Sequence, residues 1–553
     1  MAPPEGFDFF GGAGILEESL PEQNEVRKCD FPEGFLFGAA TAAYQVEGGA
    51  SAGGRGPSIW DTYTQTQGKI LDGSSGDIAC DHYHRYEDDV ELLSNLGFNA
   101  YRFSISWSRI LPDGFGGVAN KEGVAYYNSL IDSLLKKGIT PFATLYHWDL
   151  PQGLHDTMGG WLNPGIATHF ASYAEVCFAA FGDRVKHWIT LNEPLRFSLF
   201  GYGIGIHAPG RTSDRSRSLE GDTSTESYIT AHNALLAHAA AVDVYNTKFR
   251  AQQKGKVGIA LDSEWGEPLT SSQEDKEAAQ RHLEFQLGWF LDPIYFGGYP
   301  ESMRSAVCHR LPQFSKKEID LLHGSLDFIG LNHYTTRFIV PTPPSTTSGL
   351  GWLEDSHALR LTEVDGKPIG DKGASYWMYI VPWGMEKMLK WITDRYNRPP
   401  LYITENGMDD EDSAGKSLND YLHDSKRVKF YQDYLFYAAK AVRDGTDLRG
   451  YFAWSLLDNF EWQLGYTKRF GLVYVDFKNG LKRLPKDSAL WFSRFLKSDW
   501  RWKQQEWTKS CLLSSTEAVK EALPLYLELP GQSMLCNSTH VPLPISSITL
   551  HRP

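Results

Sequence analysis

Two glutamates carry the strongest chemical signal in this 553-residue chain: Glu193 in Thr190-Leu-Asn-Glu-Pro194 and Glu405 in Tyr402-Ile-Thr-Glu-Asn-Gly407. Each closes a short run of β-branched and aromatic residues, so each stands at the tip of a predicted strand. Two carboxyls flanking a sugar are what cleavage of a glycosidic bond requires. One stays protonated and gives its proton to the leaving oxygen, while the other is ionised. Where the ionised group itself attacks the anomeric carbon, the two lie about 5 Å apart and no water enters the first step. A single glutamate at a strand end is more often a helix cap than a catalyst. Two in such contexts are not explained that way.

The elements that must hold them are legible as an alternation. Short runs rich in β-branched and aromatic residues alternate with longer stretches of helical spacing, the pattern of βαβ units in a parallel sheet. Eight runs stand out: Phe35–Val46, Ala100–Trp107, Thr140–His147, His187–Asn192, Val257–Ser263, Asp327–Tyr334, Leu401–Glu405 and Gly450–Leu456. Helical stretches include Tyr83–Leu96, Gly123–Lys137, Pro164–Phe181 and Lys426–Arg443, with Gly97 and Gly138 just past two of them as C-terminal caps. The fold class predicted is α/β, a single (β/α)8 barrel with long βα loops, whose C-terminal strand ends open onto one mouth. Seven runs end in residues able to do chemistry: Gln45-Val-Glu47, Ser106-Trp107, His147-Trp-Asp149, Asn192-Glu193, Asn332-His-Tyr334, Glu405-Asn-Gly407 and Trp454-Ser455. The fourth and seventh runs, which carry the glutamates, face each other across such a mouth. Residues 1–28 read as an N-terminal extension, 29–498 as the barrel, and 499–553 as a tail, irregular apart from a short helix near Ser515–Ala522.

Composition closes off other classes. Lys+Arg 54 against Asp+Glu 68 gives a net charge of −14, which disfavours nucleic acid and anionic membranes as partners, because phosphate contacts need clustered cations. No stretch reaches the ~18 consecutive apolar residues of a membrane span. The start, Met1-Ala-Pro-Pro-Glu, has neither the basic nor the apolar region of a secretory signal, so a cytoplasmic protein is expected. Cys29, Cys80, Cys177, Cys308, Cys511 and Cys536 are scattered, the pattern of free thiols rather than a disulfide frame. Weaker matches fail on context. Gly49-Ala-Ser51-Ala-Gly53 lacks a strand–turn–helix setting, and Gly203-Ile-Gly205-Ile-His-Ala208 runs into Pro209 where a helix should open. His82 and His84 point apart on a helix, and the acidic run 409–412 reads as a solvated loop rather than a calcium site. No metal and no cofactor is expected.

Longer motifs point to a family. Phe31-Pro-Glu-Gly-Phe-Leu-Phe-Gly-Ala-Ala-Thr-Ala-Ala-Tyr-Gln-Val-Glu-Gly48, Tyr101-Arg-Phe-Ser-Ile-Ser-Trp-Ser-Arg109, His147-Trp-Asp-Leu-Pro151, Asn332-His-Tyr334 and Trp454-Ser-Leu-Leu-Asp-Asn-Phe-Glu-Trp462 accompany the two glutamate motifs. Together they resemble the signatures of glycoside hydrolase family 1, the β-glucosidases, over about residues 31–498, with a texture similar to a signal-less branch of plant members. The resemblance implies a retaining β-glucosidase that acts on O-linked β-D-glucosides (aryl or phenolic glucosides, or short β-glucose oligomers) by double displacement without a cofactor. It implies Glu193 as general acid/base and Glu405 as nucleophile, with Arg102 and Tyr334 hydrogen-bonding the nucleophile. Gln45, His147, Asn192, Glu461 and Trp462 would bind the sugar hydroxyls, Glu461 as an ionised group accepting two of them, and Trp454 would be the platform under the ring. Phe200 and Trp377 would wall the outer, aglycone subsite. Thioglucosidase relatives carry Gln where Glu193 stands, so the retained acid points to O-glycosides. The stretch 211–222 has no cysteine where secreted plant relatives carry a bridge, in keeping with a reducing compartment. The alternatives are a transglucosidase on the same residues, or a non-catalytic sugar-binding relative, which usually lacks one carboxylate.

Overall fold

The computed structural model describes residues 25–342 and 351–497. The helix predicted near Ser515–Ala522 lies outside the described residues, as do most of the two terminal segments. Eight parallel strands close into a barrel: β1 (Leu36–Ala40), β2 (Ala100–Ser104), β3 (Thr140–Tyr146), β4 (His187–Asn192), β5 (Lys256–Asp262), β6 (Phe328–Asn332), β7 (Leu401–Asn406) and β8 (Leu448–Trp454). Neighbours in sequence are neighbours in the sheet, and β8 pairs with β1. Because both faces are covered, the strands are buried along nearly their whole length, and every residue of β2 and β7 is buried, the polar ones included.

The interior of the barrel decides where a cavity can form. Every strand contributes to one cluster of buried side chains: Ala40, Ala100, Phe142, Ile189, Ala260, Phe328, Tyr402 and Phe452. Phe142 lies at its centre, with ring centroids 5.5 Å from Phe328 and 5.1 Å from both Tyr402 and Phe452. Glycines make room for these rings: a Cβ on Gly38 would meet Phe452 at 2.4 Å, and one on Gly258 would meet the Phe328 carbonyl at 2.5 Å. Beyond this aromatic plug, the C-terminal strand ends carry the residues that line the cavity described below.

Helices cover the outside by ordinary amphipathic logic. Lys121–Lys136 starts at Asn120, whose side chain accepts from the Glu122 amide, and buries Tyr126, Tyr127, Leu130, Ile131 and Leu134 at i, i+3, i+4 spacing. Each such buried side chain contributes roughly 1.5–3 kcal/mol. Gly97 and Gly138 take left-handed backbone just past their helices, as their positions predict.

Two expectations need correction. The first run does not stay extended to Val46. The Ala43 amide donates to Ser104 Oγ (2.7 Å) instead of to the sheet, and residues Ala43–Val46 form a helical turn that carries Gln45. The acidic run 409–412 is only partly a solvated loop: Asp409 is buried against the Ser375 hydroxyl, while the more accessible carboxylates are paired, Asp410 with Arg427 (2.6 Å), exposed Glu411 with Lys468 (2.8 Å) and Asp412 with Arg469 (2.7 Å). The barrel strands are also not the whole β-structure. Trp265–Pro268, Thr336–Pro341 and Ala358–Leu361 form a three-stranded sheet growing from the ends of β5 and β6. His82 is buried against Asp89 (2.8 Å) and His84 is exposed beside Asp81 (2.6 Å), so the two do point apart.

Candidate active site

Both glutamates sit where a strand carries one residue too many. Between Ile189 and Asn192 in β4, three steps along the chain face two in β5; between Ile403 and Glu405 in β7, two steps face one in β6. Such bulges at a barrel rim turn a side chain away from the regular alternation.

Glu405 has both carboxylate oxygens held. Arg102 of β2 donates from Nη1 to Oε1 (2.6 Å), and the Tyr334 hydroxyl donates to Oε2 (2.7 Å). The same guanidinium donates to the Thr404 carbonyl (2.9 Å), to Asn192 Oδ1 (2.5 Å) and to Thr144 Oγ1 (3.3 Å), so this buried cation is well partnered. Glu193 follows β4 in the left-handed region (φ +47°), directly before Pro194, the first residue of the helix Pro194–Tyr202. That backbone costs a non-glycine residue roughly 1–2 kcal/mol. It is held by the Glu193 amide donating to the Ala260 carbonyl of β5 (2.9 Å).

Glu193 Oε1 accepts from Asn332 Nδ2 (2.7 Å), and Thr404 Oγ1 donates to Asn332 Oδ1 (2.7 Å), which fixes the amide's orientation. Asn332 Nδ2 also reaches Asn192 Oδ1 (3.1 Å). A continuous chain of hydrogen bonds therefore joins the two glutamates through Arg102, Asn192 and Asn332, beneath a cavity of about 460 Å³ that both glutamates line.

Burial pushes both carboxyls up, but unequally. Glu193 is held well above the usual carboxylate range, with Asp262 and Glu405 adding to burial and only Arg196 and Asn332 opposing it. Glu405 is also raised by burial, while Arg102 and the Tyr334 hydroxyl pull it back. The pair's first proton thus leaves Glu405 and the second resides on Glu193, one carboxylate and one carboxylic acid in a single cavity.

The other expected residues surround this pair. Asn192 donates from Nδ2 to His147 Nε2 (3.0 Å), so the hydrogen of this neutral imidazole, kept neutral by burial and by Arg102, is on Nδ1. Among the described residues that nitrogen has no partner, nor does Gln45 Oε1 or Glu461 Oε1. Partnerless buried polar atoms occur elsewhere in the molecule too, but His147 and Glu461 line this cavity, and all three atoms are matched in kind to hydroxyl groups. Gln45 and Asn192 lie just behind the cavity wall, Gln45 held by its Nε2 on Asn459 Oδ1 and the Phe460 carbonyl (2.8 Å each). His147, Glu461, Trp454 and Trp462 are in the wall itself, and the imidazole stacks on both indoles at 5.8 and 5.9 Å. Burial, reinforced by Asp409 and Glu405, pushes Glu461 well above the usual carboxylate range. Phe200 and Trp377 line the outer part of the same cavity.

Family comparison agrees with this geometry. The profile described as "Glycosyl hydrolase family 1" matches residues 27–500. The chain belongs to glycosyl hydrolase family 1. Among family members, it is 55% identical over 482 residues to "Beta-glucosidase 4" of Oryza sativa subsp. japonica, covering 86% of this chain and 96% of that protein. It is 54% identical over 474 residues to "Beta-glucosidase 42" of Arabidopsis thaliana, covering 85% and 95%. It also superposes with a TM-score of 0.84 on a mutant of the rice Os3BGlu6 β-glucosidase in a covalent complex with Glc from GA4GE, at 52% identity and covering 85% and 99% of the two chains.

Sequence reasoning missed several residues of the family site. Asn332 was seen as part of a motif, not as the group that holds Glu193. The end of the fifth run, Asp262-Ser263-Glu264, was passed over although it supplies two carboxylates to the cavity, one paired with Arg196 (2.6 Å) and the other with Arg337 (3.2 Å). The rule that marked the other strand ends would have found both.

Proposed function

We propose that this enzyme is a retaining β-glucosidase that hydrolyses O-linked β-D-glucosides by double displacement. Glu193 protonates the glycosidic oxygen as Glu405 attacks the anomeric carbon. The C–O bond to the aglycone breaks, and a covalent glucosyl–Glu405 ester forms. Once Glu405 is esterified its charge is gone, so Glu193 becomes the easier acid to ionise. It then takes a proton from the water that attacks the ester and releases glucose.

The observation that carries this reading is the unequal pair: one carboxyl held by a cation and a phenol, the other kept protonated, wired together below one cavity. The covalent complex formed by the rice relative supports the two-step course. In the cavity, Trp454 serves as the platform for the glucose ring, and Gln45, His147, Asn192, Glu461 and Trp462 receive its hydroxyls. Phe200 and Trp377 flank the aglycone, which suits aryl glucosides. A cytosolic location is part of the proposal, in keeping with the unbridged thiols of Cys80, Cys177 and Cys308 among the described residues.

The test is Glu405→Gly with and without azide. The variant should lose turnover of nitrophenyl β-glucoside by orders of magnitude, and azide should restore part of it as the α-glucosyl azide. Recovery of the β-anomer would overturn the role of Glu405.

A further inference from the structure

The outer half of the cavity carries charge that the chemistry above does not use. Three guanidinium groups line it, those of Arg196, Arg337 and Arg360, against the two carboxylates of Asp262 and Glu264. Glu264 is ionised although buried: burial would raise it, but Arg337, Arg360 and Arg196 together bring it down to about 2. Two of the three cations are committed. Arg196 has Asp262 at 2.6 Å. Arg337 donates to Thr335 Oγ1 and the Thr336 carbonyl (2.9 Å each) and to the Trp377 carbonyl, and pairs with Glu264 at 3.2 Å, so it serves as a strut for the aromatic wall.

Arg360 is left over. It must share Glu264 with Arg337, at a longer 3.4 Å, and its side chain is 33% exposed. Its other contact is the face of Trp352, 5.7 Å from the ring centroid. Among the described residues, no further carboxylate pairs with it. Apolar side chains line the same cavity, among them Leu199, Phe200, Ile204, Ile206 and Leu353, alongside uncharged polar ones such as Thr362 and Gln463, and Tyr376 is 72% exposed. One unbalanced cation beside a greasy wall is a recognition element for a greasy molecule with one negative charge.

We propose that the outer subsite selects glucosides whose aglycone is apolar and bears an anionic group, with Arg360 pairing with that group. This rests on the β-glucosidase reading and adds the class of aglycone. The guanidinium exchanges its long, shared contact with Glu264 for an oxyanion of its own, while the aryl or alicyclic body lies against Phe200 and Trp352.

The experiment compares kcat/KM for two aryl β-glucosides that differ only in charge: the 4-O-glucoside of 4-hydroxycinnamic acid and that of its methyl ester, at a pH where the acid is ionised. The readout is the acid-to-ester ratio in the wild type, Arg360→Gln and Arg360→Lys. Because the leaving phenols are the same for every variant, a change in the ratio isolates the charge contact from any general loss. R360Q should lower the ratio about five- to tenfold, R360K should keep part of it, and rising salt should erode it in the wild type. A ratio that moves less than twofold in R360Q, or is insensitive to salt in the wild type, overturns the inference while leaving the glucosidase reading intact. Failure to cleave either compound overturns both.

Discussion

Replacing Tyr334 by phenylalanine removes one atom from the site, and its effect can be worked through. The phenol, pushed well above its ordinary value by burial, is protonated throughout the working range and donates to Glu405 Oε2 at 2.7 Å. A hydrogen bond to a charged group is worth about 1.5–3 kcal/mol. That bond exists only with ionised Glu405, so its loss raises the pKa of Glu405. At 1.36 kcal/mol per unit the shift is roughly one to two units upward. Arg102 still holds Oε1 at 2.6 Å, so the carboxylate survives, and solvent entering the open cavity brings the effect towards the lower figure. The acid limb of kcat/KM for nitrophenyl β-glucoside belongs to the first apparent pKa of the pair, and it should move up by about one unit. Below the shifted limb, activity should then be down about tenfold. A pH profile with the limb unmoved, or moved down, would refute the view that this phenol stabilises an ionised nucleophile. Thermal melting of the variant guards against a trivial loss, because the substitution leaves the ring in place.

Two further outcomes follow from the same reasoning. Glu193→Gln keeps the shape of the acid and removes its proton, so alkyl glucosides should slow by roughly 10²–10⁴-fold, while dinitrophenyl glucosides, whose leaving group needs no proton, lose far less in the glucosylation step seen by burst kinetics; equal losses for both would remove Glu193 as the acid. The fold should also be acid-sensitive, because burial holds His187, His238, His282 and His333 down at about 4 and His207 at about 3. Unfolded histidine takes its proton near 6.5, so between pH 6.5 and about 4 the unfolded chain binds more protons and stability falls with pH, by up to roughly 3 kcal/mol per histidine. Urea midpoints that stay flat from pH 7 to 5 would contradict this.

The inner site was readable from sequence because the fold ties it to strand ends. A residue that closes a barrel strand can only be at one mouth, so Glu193, Glu405, His147 and Trp454 could be placed without knowing a single angle. Bulges were not readable: nothing in Ile189–Asn192 or Ile403–Glu405 announces an extra residue, since that depends on the register of the neighbouring strand. Protonation states were not readable either. Glu461 looks like any carboxylate in sequence, and only three-dimensional burial beside Asp409 and Glu405 pushes its carboxyl above the usual range. The acidic run 409–412 misled for the complementary reason, because its partners Arg427, Lys468 and Arg469 come from elsewhere in the chain.

The same distinction separates the two halves of the cavity. Sugar-facing groups are set by barrel register and by the hub at Arg102, whose partners on β3, β4 and β7 would all be disturbed if any one strand slipped. The outer groups Glu264, Arg337 and Arg360 are borne on or beside the small sheet that extends β5 and β6, which shares no hydrogen-bonded strand with the barrel. Charge there reaches the glutamate pair through Asp262, which raises both Glu193 and Glu405, and through Arg196, which lowers Glu193. Asp262 and Arg196 are therefore points at which charge in the outer half of the cavity and the acidity of Glu193 are physically coupled. The two act in opposite senses: the Asp262 carboxyl holds the proton on Glu193, while the Arg196 guanidinium paired with it at 2.6 Å favours its release.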